Sequence, residues 1–354
     1  MALRVLLISG YDAGSHRQWR QSLVANLGEL EWTVIALPGR HFSWRARGNA
    51  LSLAHLHQQT LNQSFDLLLC TSMVDLSGLV SMVPKLQSIP KLLYFHENQF
   101  AYPASGSKHS LVDIQLVNLY SALVADRIAF NSRYNQQSFL LGVDKLMKAM
   151  PDLVPKGLSD DIAEKSQVLP VPLADHTATS PIKNEVLQLL WNHRWEYDKG
   201  PAGLYLLLKN LVQRKFNFDL HLIGEQFRQQ PKEFVAIQAE FSPHIKTFGY
   251  VDKEKYEALL GQSDFVLSTA LHEFQGLAVM EAVQRGCVPL VPNRLAYPEI
   301  FAQEYCYPSL LENPQKEAEG AAEKLIQLQD QLAPDLSQFT WGQLKLGYKE
   351  FLRV

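Results

Sequence analysis

Ser268-Thr269-Ala270-Leu271-His272-Glu273-Phe274-Gln275-Gly276-Leu277-Ala278-Val279-Met280-Glu281-Ala282 is the stretch from which the rest of the chain can be read. The apolar run Phe265–Ser268 leads into it and a helical pattern, Gly276–Arg285, leads out. A buried strand that turns through glycine into a helix is the repeating unit of a parallel α/β domain. The first N–H groups of such a helix, near Gly276 and Leu277, have no intrahelical acceptor, and the dipole there favours a phosphate. Gly276 lets backbone come close to a ligand. Glu281, one or two turns further on, suits a ribose diol, as the acidic residue of dinucleotide folds does. Glu273, in the loop, suits the hydroxyls of a sugar. The competing reading is an acidic helix start that serves only the dipole.

The same alternation extends in both directions. Apolar runs at Leu187–Trp191, Phe218–Ile223, Ile245–Phe248 and Val288–Val291 read as strands. Helical spacing at Ala202–Arg214 and Lys253–Gln262 fills the gaps. Upstream, Arg4–Ser9, Trp32–Leu37, Asp66–Cys70, Lys91–Phe95, Arg127–Phe130 and Gln167–Pro170 are nearly continuously apolar, as strands covered on both faces must be. Helices are expected at Ser15–Leu27 and Leu111–Ala125. Between the halves, prolines punctuate residues 150–183, and Ala174-Asp175-His176-Thr177-Ala178-Thr179-Ser180 reads as linker. Two Rossmann-like α/β domains with parallel sheets are expected, 1–181 (linker from about 171) and 182–354, facing a central cleft. The last helix, near Trp341–Leu352, fits either domain.

The 354 residues are enough for two cores. A net charge of −3 gives no global pull toward nucleic acid or membrane, so an RNA partner needs a local basic patch. Three scattered cysteines, with no Cys-x-x-Cys and no His-Glu-x-x-His, predict neither a disulfide framework nor a zinc site. No apolar stretch of about 20 residues occurs, so no membrane span is expected and a reducing cytoplasm is the expected compartment.

The second chemical signal is Trp191-Asn192-His193-Arg194-Trp195-Glu196-Tyr197-Asp198-Lys199-Gly200. Arg194 and Lys199 follow the domain's first strand, where two cations and helix-end amides can stabilise a departing diphosphate without a metal. Alone, they read equally as surface cations. In the first half, Gly14 with Ser15 and His16 joins the first strand to the first helix. His96, Glu97, Asn98 and Gln99 end the strand Lys91–Phe95, at the edge where open sheets bind ligands. Ser132 is a candidate helix cap. The basic segment Gly39-Arg40-His41-Phe42-Ser43-Trp44-Arg45-Ala46-Arg47-Gly48-Asn49 divides evenly between two readings. One is an RNA contact of arginines and stacking aromatics; the other is a pinned loop with paired arginines.

Taken together, Arg194, Lys199, Glu273 and Glu281 resemble the retaining glycosyltransferases of family 4, whose fold is GT-B. In that family an Arg…Lys pair binds the donor diphosphate and a Glu-x7-Glu motif binds sugar and ribose. Gly14-Ser15-His16, Trp44-Arg45-Ala46-Arg47, Tyr94-Phe95-His96-Glu97-Asn98-Gln99, His193-Arg194-Trp195-Glu196 and His272-Glu273-Phe274 narrow the resemblance to the tRNA-queuosine α-mannosyltransferase family. It runs from the first strand to Tyr297-Pro298-Glu299-Ile300-Phe301. Ala13 stands where family loops often carry a second glycine, and Gln275 where an aromatic is common.

The resemblance implies transfer of mannose from GDP-mannose to queuosine at the wobble position of an aspartate tRNA. It implies no metal or other cofactor. Its implied catalytic groups are His96 and Glu273. Gly14, Arg194, Lys199, Gly276, Leu277 and Glu281 would bind the donor. Ser15, His16, Arg45, Arg47, Glu97, Asn98 and Gln99 would bind the acceptor RNA. Two other readings stand beside it: a family 4 enzyme using another nucleotide sugar on a lipid or polysaccharide, and a non-catalytic RNA-binding protein. A dinucleotide dehydrogenase is disfavoured, because no Gly-x-Gly-x-x-Gly follows Val5–Ser9.

Overall fold

The computed structural model describes residues 2–101, 112–175, 184–227 and 230–353. It forms two units, Met1–Pro172 with Trp341–Val354, and Leu173–Thr340. In the first, strands β1 (Arg4–Asp12), β2 (Glu31–Pro38), β3 (Leu67–Thr71), β4 (Lys91–Phe95), β5 (Arg127–Phe130) and β6 (Ser166–Val168) form one sheet in the order β2-β1-β3-β4-β5-β6. In the second, β7 (Leu187–Trp191), β8 (Phe218–Ile223), β9 (Ile245–Gly249), β10 (Phe265–Leu267), β11 (Val288–Pro292) and β12 (Cys306–Tyr307) form another, ordered β12-β11-β10-β7-β8-β9. Every pairing is parallel. Both sheets are the expected doubly wound kind.

Strand composition explains the order of burial. Val5, Leu6, Leu7 and Ile8 of β1 are fully buried and pair with Leu67–Cys70 on one side and Trp32–Ile35 on the other. A strand with neighbours on both edges and helices on both faces has no solvent face, so it carries no polar alternation. β9, at a sheet edge, is only partly buried and carries Lys246 and Thr247.

Each sheet reverses direction once. Chain order runs outward both ways from β1, toward β2 and toward β3, and likewise from β7, toward β8 and toward β10. Segments leaving the two strands at a reversal diverge to opposite faces, which opens a crevice at their C-terminal ends. In unit one these segments follow β1 and β3; in unit two they follow β7 and β10.

The division of the chain falls earlier than expected. Leu173 is buried in the second core, and its N–H donates to Phe339 O at 2.8 Å. The second unit therefore begins at 173 rather than 182. Of the expected linker, residues 176–180 lie outside the described residues. The helix Trp341–Leu352 belongs to the first unit. Tyr348 is buried, accepts from Trp19 Nε1 at 2.9 Å and donates to Pro170 O at 3.0 Å.

Candidate active site

At the reversal of the second sheet, the segments after β7 and β10 are bound to each other. Leu271 N–H and His272 N–H donate to Asp198 O at 2.8 and 3.1 Å. Thr269 Oγ1 donates to Lys199 O at 3.0 Å. Gly200 makes this approach feasible, and Gly224, after β8, lets a third segment close on the one after β7. Gly200 has φ 65°, and a Cβ there would sit 2.0 Å from Thr269 O. Gly224 has φ 155°, and a Cβ there would sit 1.8 Å from His193 O. Pro201 then opens the helix Pro201–Gln213, its fixed φ suiting the first helical turn.

Lys199 is buried. Its Nζ donates to His272 O at 3.0 Å and to Glu273 Oε2 at 3.2 Å, and lies 3.3 Å from Asp198 Oδ2. Glu273 Oε1 accepts from Phe274 N–H at 3.0 Å and Gln275 N–H at 3.4 Å. Burial alone would raise the Glu273 carboxyl pKa; Lys199, His193 and the Gly276 N–H outweigh it and hold the group down at about 2. Glu273 is thus a fixed anion. His193 is buried, and its pKa falls to about 4, mainly through burial and then through Lys199. It is a neutral imidazole at pH 7, and its Nε2 has no hydrogen-bond partner among the described residues.

The helix Leu277–Gln284 starts at Gly276, which has φ 78° and no room for a side chain, since a Cβ would meet the Tyr297 ring at 2.8 Å. Glu281 lies on this helix and accepts from Tyr256 Oη at 3.0 Å. Asn192 Nδ2 donates to Ala278 O at 2.7 Å, tying the end of β7 to the helix start. Arg194 is exposed and pairs with Glu196 at 2.8 Å.

Two expectations change here. The Gly276 N–H points to Glu273, so of the two amides expected to meet a phosphate one already has an anionic acceptor. Arg194 and Lys199 are also unequal, one solvated and one embedded in carboxylates. Gln275, at the position often aromatic, is buried with its amide on Met280 Sδ at 3.7 Å.

In the first unit, the segments after β1 and β4 meet. His16 and His96 are both buried and stack with centroids 4.2 Å apart. His16 Nε2 lies 2.8 Å from Glu97 Oε2. Burial, then His16, push the His96 pKa well below its usual value, and its Nε2 has no hydrogen-bond partner among the described residues. Gly14 and Ser15 are exposed at the start of the helix Gly14–Asn26. A Cβ at Gly14 would touch nothing, so no protein contact demands glycine there.

Asn98 and Gln99 are corrected. Asn98 is fully buried; its Nδ2 donates to Asn135 Oδ1 and Ser138 Oγ, both at 2.9 Å, and its Oδ1 accepts from Phe100 and Ala101 N–H at 2.9 and 3.0 Å. Gln99 is buried with Nε2 on Met73 Sδ at 3.8 Å. Both side chains face inward and hold the strand-end loop, because a buried amide must satisfy its own donors and acceptors first. Asn135 extends the network to Phe95 O and Asn131. Ser132 caps the helix Arg133–Ala149, accepting from Asn135 N–H at 3.0 Å.

The basic segment is helical from Phe42, in the helix Phe42–Leu56. Arg45 is half-buried with Nε 3.4 Å from Pro38 O, and Arg47 pairs with Asp113 at 3.1 Å.

Several supports carried no sequence signal. Arg294 bridges Ala270 O at 2.9 Å and Glu317 at 2.9 Å, fixing the loop before Glu273 from helix Pro314–Gln327. Tyr256 and Asn192 are likewise separated in sequence from the residues they hold. His193 is the exception, since it stands inside the motif beside Arg194.

Two doubly wound units, one carrying a fixed lysine–glutamate pair beside a helix start, define a GT-B glycosyltransferase. The fold agrees: the catalytic domain of starch synthase IV from Arabidopsis thaliana, bound to ADP and acarbose, matches with TM-score 0.67 at 11% identity, over 100% of this chain and 99% of that one. Sucrose-phosphate synthase from Thermosynechococcus elongatus matches with TM-score 0.66 at 12% identity, over 99% and 98%. Residues 175–336 match the model for glycosyl transferases group 1, and residues 4–173 match the model for the N-terminal part of tRNA-queuosine alpha-mannosyltransferase. The tRNA-queuosine alpha-mannosyltransferase of Drosophila melanogaster is 34% identical over 316 residues, 86% of this chain and 83% of its own. The chain belongs to the tRNA-queuosine α-mannosyltransferase family.

Proposed function

We propose that this chain transfers mannose from GDP-mannose to queuosine in tRNA, at the wobble position of an aspartate tRNA, with retention at the anomeric carbon. The observation that carries the donor half is the Lys199–Glu273 pair, 3.2 Å apart at the sheet reversal and beside the helix that starts at Leu277. The acceptor half rests on family membership.

In this reading the diphosphate lies on the amides of Leu277 and Ala278, with Lys199 and Arg194 supplying positive charge. Arg194 reaches it by leaving Glu196, an exchange that costs little because exposed ion pairs contribute about 0–1 kcal/mol. Glu281 holds the ribose diol. Glu273, ionised and immobile, orients sugar hydroxyls. His96, neutral, offers its unpartnered Nε2 to the transferred sugar. Gly14, Ser15, His16, Glu97, Arg45 and Arg47 belong to the acceptor side.

The bond from the anomeric carbon to the β-phosphate oxygen breaks, and the bond to the acceptor hydroxyl oxygen forms on the same face. The departing phosphate takes the hydroxyl proton, so no side chain need act as base. Catalysis then comes from positioning and from charge stabilisation of the leaving group. Lys199, Arg194 and the helix amides supply that stabilisation, so the reading requires no metal. Among the described residues no helix is long and apolar enough to cross a membrane, in keeping with an acceptor in aqueous solution.

The test offers queuosine-containing tRNA and a panel of nucleotide sugars, then weighs the digested nucleosides. A gain of one hexose on queuosine with GDP-mannose alone is expected. A gain with another donor overturns the donor assignment, and no gain on queuosine with any donor overturns the acceptor.

A further inference from the structure

The helix Phe42–Leu56 presents an aromatic, Trp44, to which the proposed function assigns no role. Trp44 is 52% exposed, whereas Trp19, Trp191, Trp195 and Trp341 are buried and Trp32 is half-buried. An exposed indole gives up roughly 25 cal/mol per Å² of burial, so its exposure needs a reason. Its inner face is accounted for. The ring lies over Gly48, one turn along, and a Cβ at Gly48 would come within 2.7 Å of three ring carbons. Glycine mid-helix costs about 1 kcal/mol relative to alanine. Here it lets the indole lie flat on the backbone, with its other face outward.

The surroundings are positive. No Asp or Glu occurs from Trp32 to Phe65, while Arg40, His41, Arg45 and Arg47 flank the indole in sequence. Arg47 shares Asp113 at 3.1 Å. The helix carries no acidic residue in its first turn and no side-chain cap, so its dipole favours a phosphate there. Phe42, also exposed, stands edge-on to Tyr11, with centroids 5.9 Å apart, at the end of β1. A flat aromatic face bordered by guanidinium groups is what an unpaired nucleotide recognises: the base stacks and the phosphate pairs.

We propose that Trp44, laid flat by Gly48, is the stacking platform for an unpaired base of the RNA acceptor. The proposal rests on the tRNA reading above and adds the group that grips the loop. Base–aromatic stacking of this kind changes affinity about 5- to 150-fold on removal of the ring.

The test measures KM for queuosine-containing tRNA in the full-length parent, Trp44→Ala, Trp44→Phe and Gly48→Ala, with thermal melting to show that each is folded. Trp44→Ala is expected to raise KM about 5- to 150-fold and Trp44→Phe to restore most of it. Gly48→Ala, although a better helix former, is expected to raise KM as well, because the added methyl tilts the ring. The tRNA should also quench a tryptophan emission that is missing in Trp44→Phe. Unchanged KM in Trp44→Ala and Gly48→Ala, in a parent that modifies the tRNA, overturns this proposal alone. A parent that leaves the tRNA unmodified overturns the acceptor reading and this proposal with it. Quenching of the same emission by anionic phosphatidylserine vesicles but not by tRNA assigns the face to membranes and overturns it too.

Discussion

Glu273 and Lys199 form a largely buried ion pair in the second unit, and its effect appears in stability as a function of pH. Glu273 titrates at about 2 in the folded chain, below the roughly 4.3 of an unfolded glutamate. Its contribution is present in full above the unfolded value and is lost as pH falls from about 4.3 toward 2. His193, lowered to about 4, acts in the same direction over a higher window. Unfolding lets it take a proton below about 6.5, so stability declines as pH drops from there toward 4. Urea unfolding from pH 7 to pH 3 should therefore show two successive losses. Glu273→Gln should flatten the lower one and cost about 2 kcal/mol at pH 7, since it weakens hydrogen bonds to a charged group. A Glu273→Gln profile parallel to the parent's at every pH contradicts the ionised pair.

At the scale of elements, the loops after β7 and β10 act as one piece because Gly200 permits it. Gly200→Ala places a Cβ 2.0 Å from Thr269 O at φ 65°. It should destabilise the chain by about 2–4 kcal/mol, more than an unstrained glycine replacement, and weaken donor binding as the loops part. Gly14→Ala, with open space around it, should leave the urea midpoint within about 0.5 kcal/mol of the parent. What the sequence revealed follows the same physics. The residues of β4, β5, β7 and β8 were legible to their ends because strands inside a parallel sheet are mostly apolar. β12, two residues long, leaves no pattern. The helix Phe42–Leu56 was hidden because its first turns carry arginine, aromatic and glycine residues instead of an apolar stripe. Asn98 looked like a ligand contact from its place at a strand end; only coordinates reveal that Asn135 and Ser138 consume it.

For the whole molecule, pattern gave the two sheets and their motifs, but not the route of the chain between the units. The helix Trp341–Leu352 is amphipathic and would suit either core. It joins the first because Tyr348 finds Trp19 and Pro170 there. Similarly, Arg294 and Glu317 are 23 residues apart and become one support only when the helix Pro314–Gln327 packs. The candidate residues Arg194, Lys199, Glu273 and Glu281 were legible as two motifs; the unequal burial of the two cations was not. That inequality gives the most direct test of the account, calorimetric titration of GDP-mannose into the full chain in excess EDTA. Binding should persist without divalent metal, weaken at least about tenfold in a folded Lys199→Met variant, and weaken less in Arg194→Ala, whose guanidinium is already solvated. Binding that vanishes in EDTA, or that Lys199→Met leaves at the parent's value, contradicts a donor site built on that lysine.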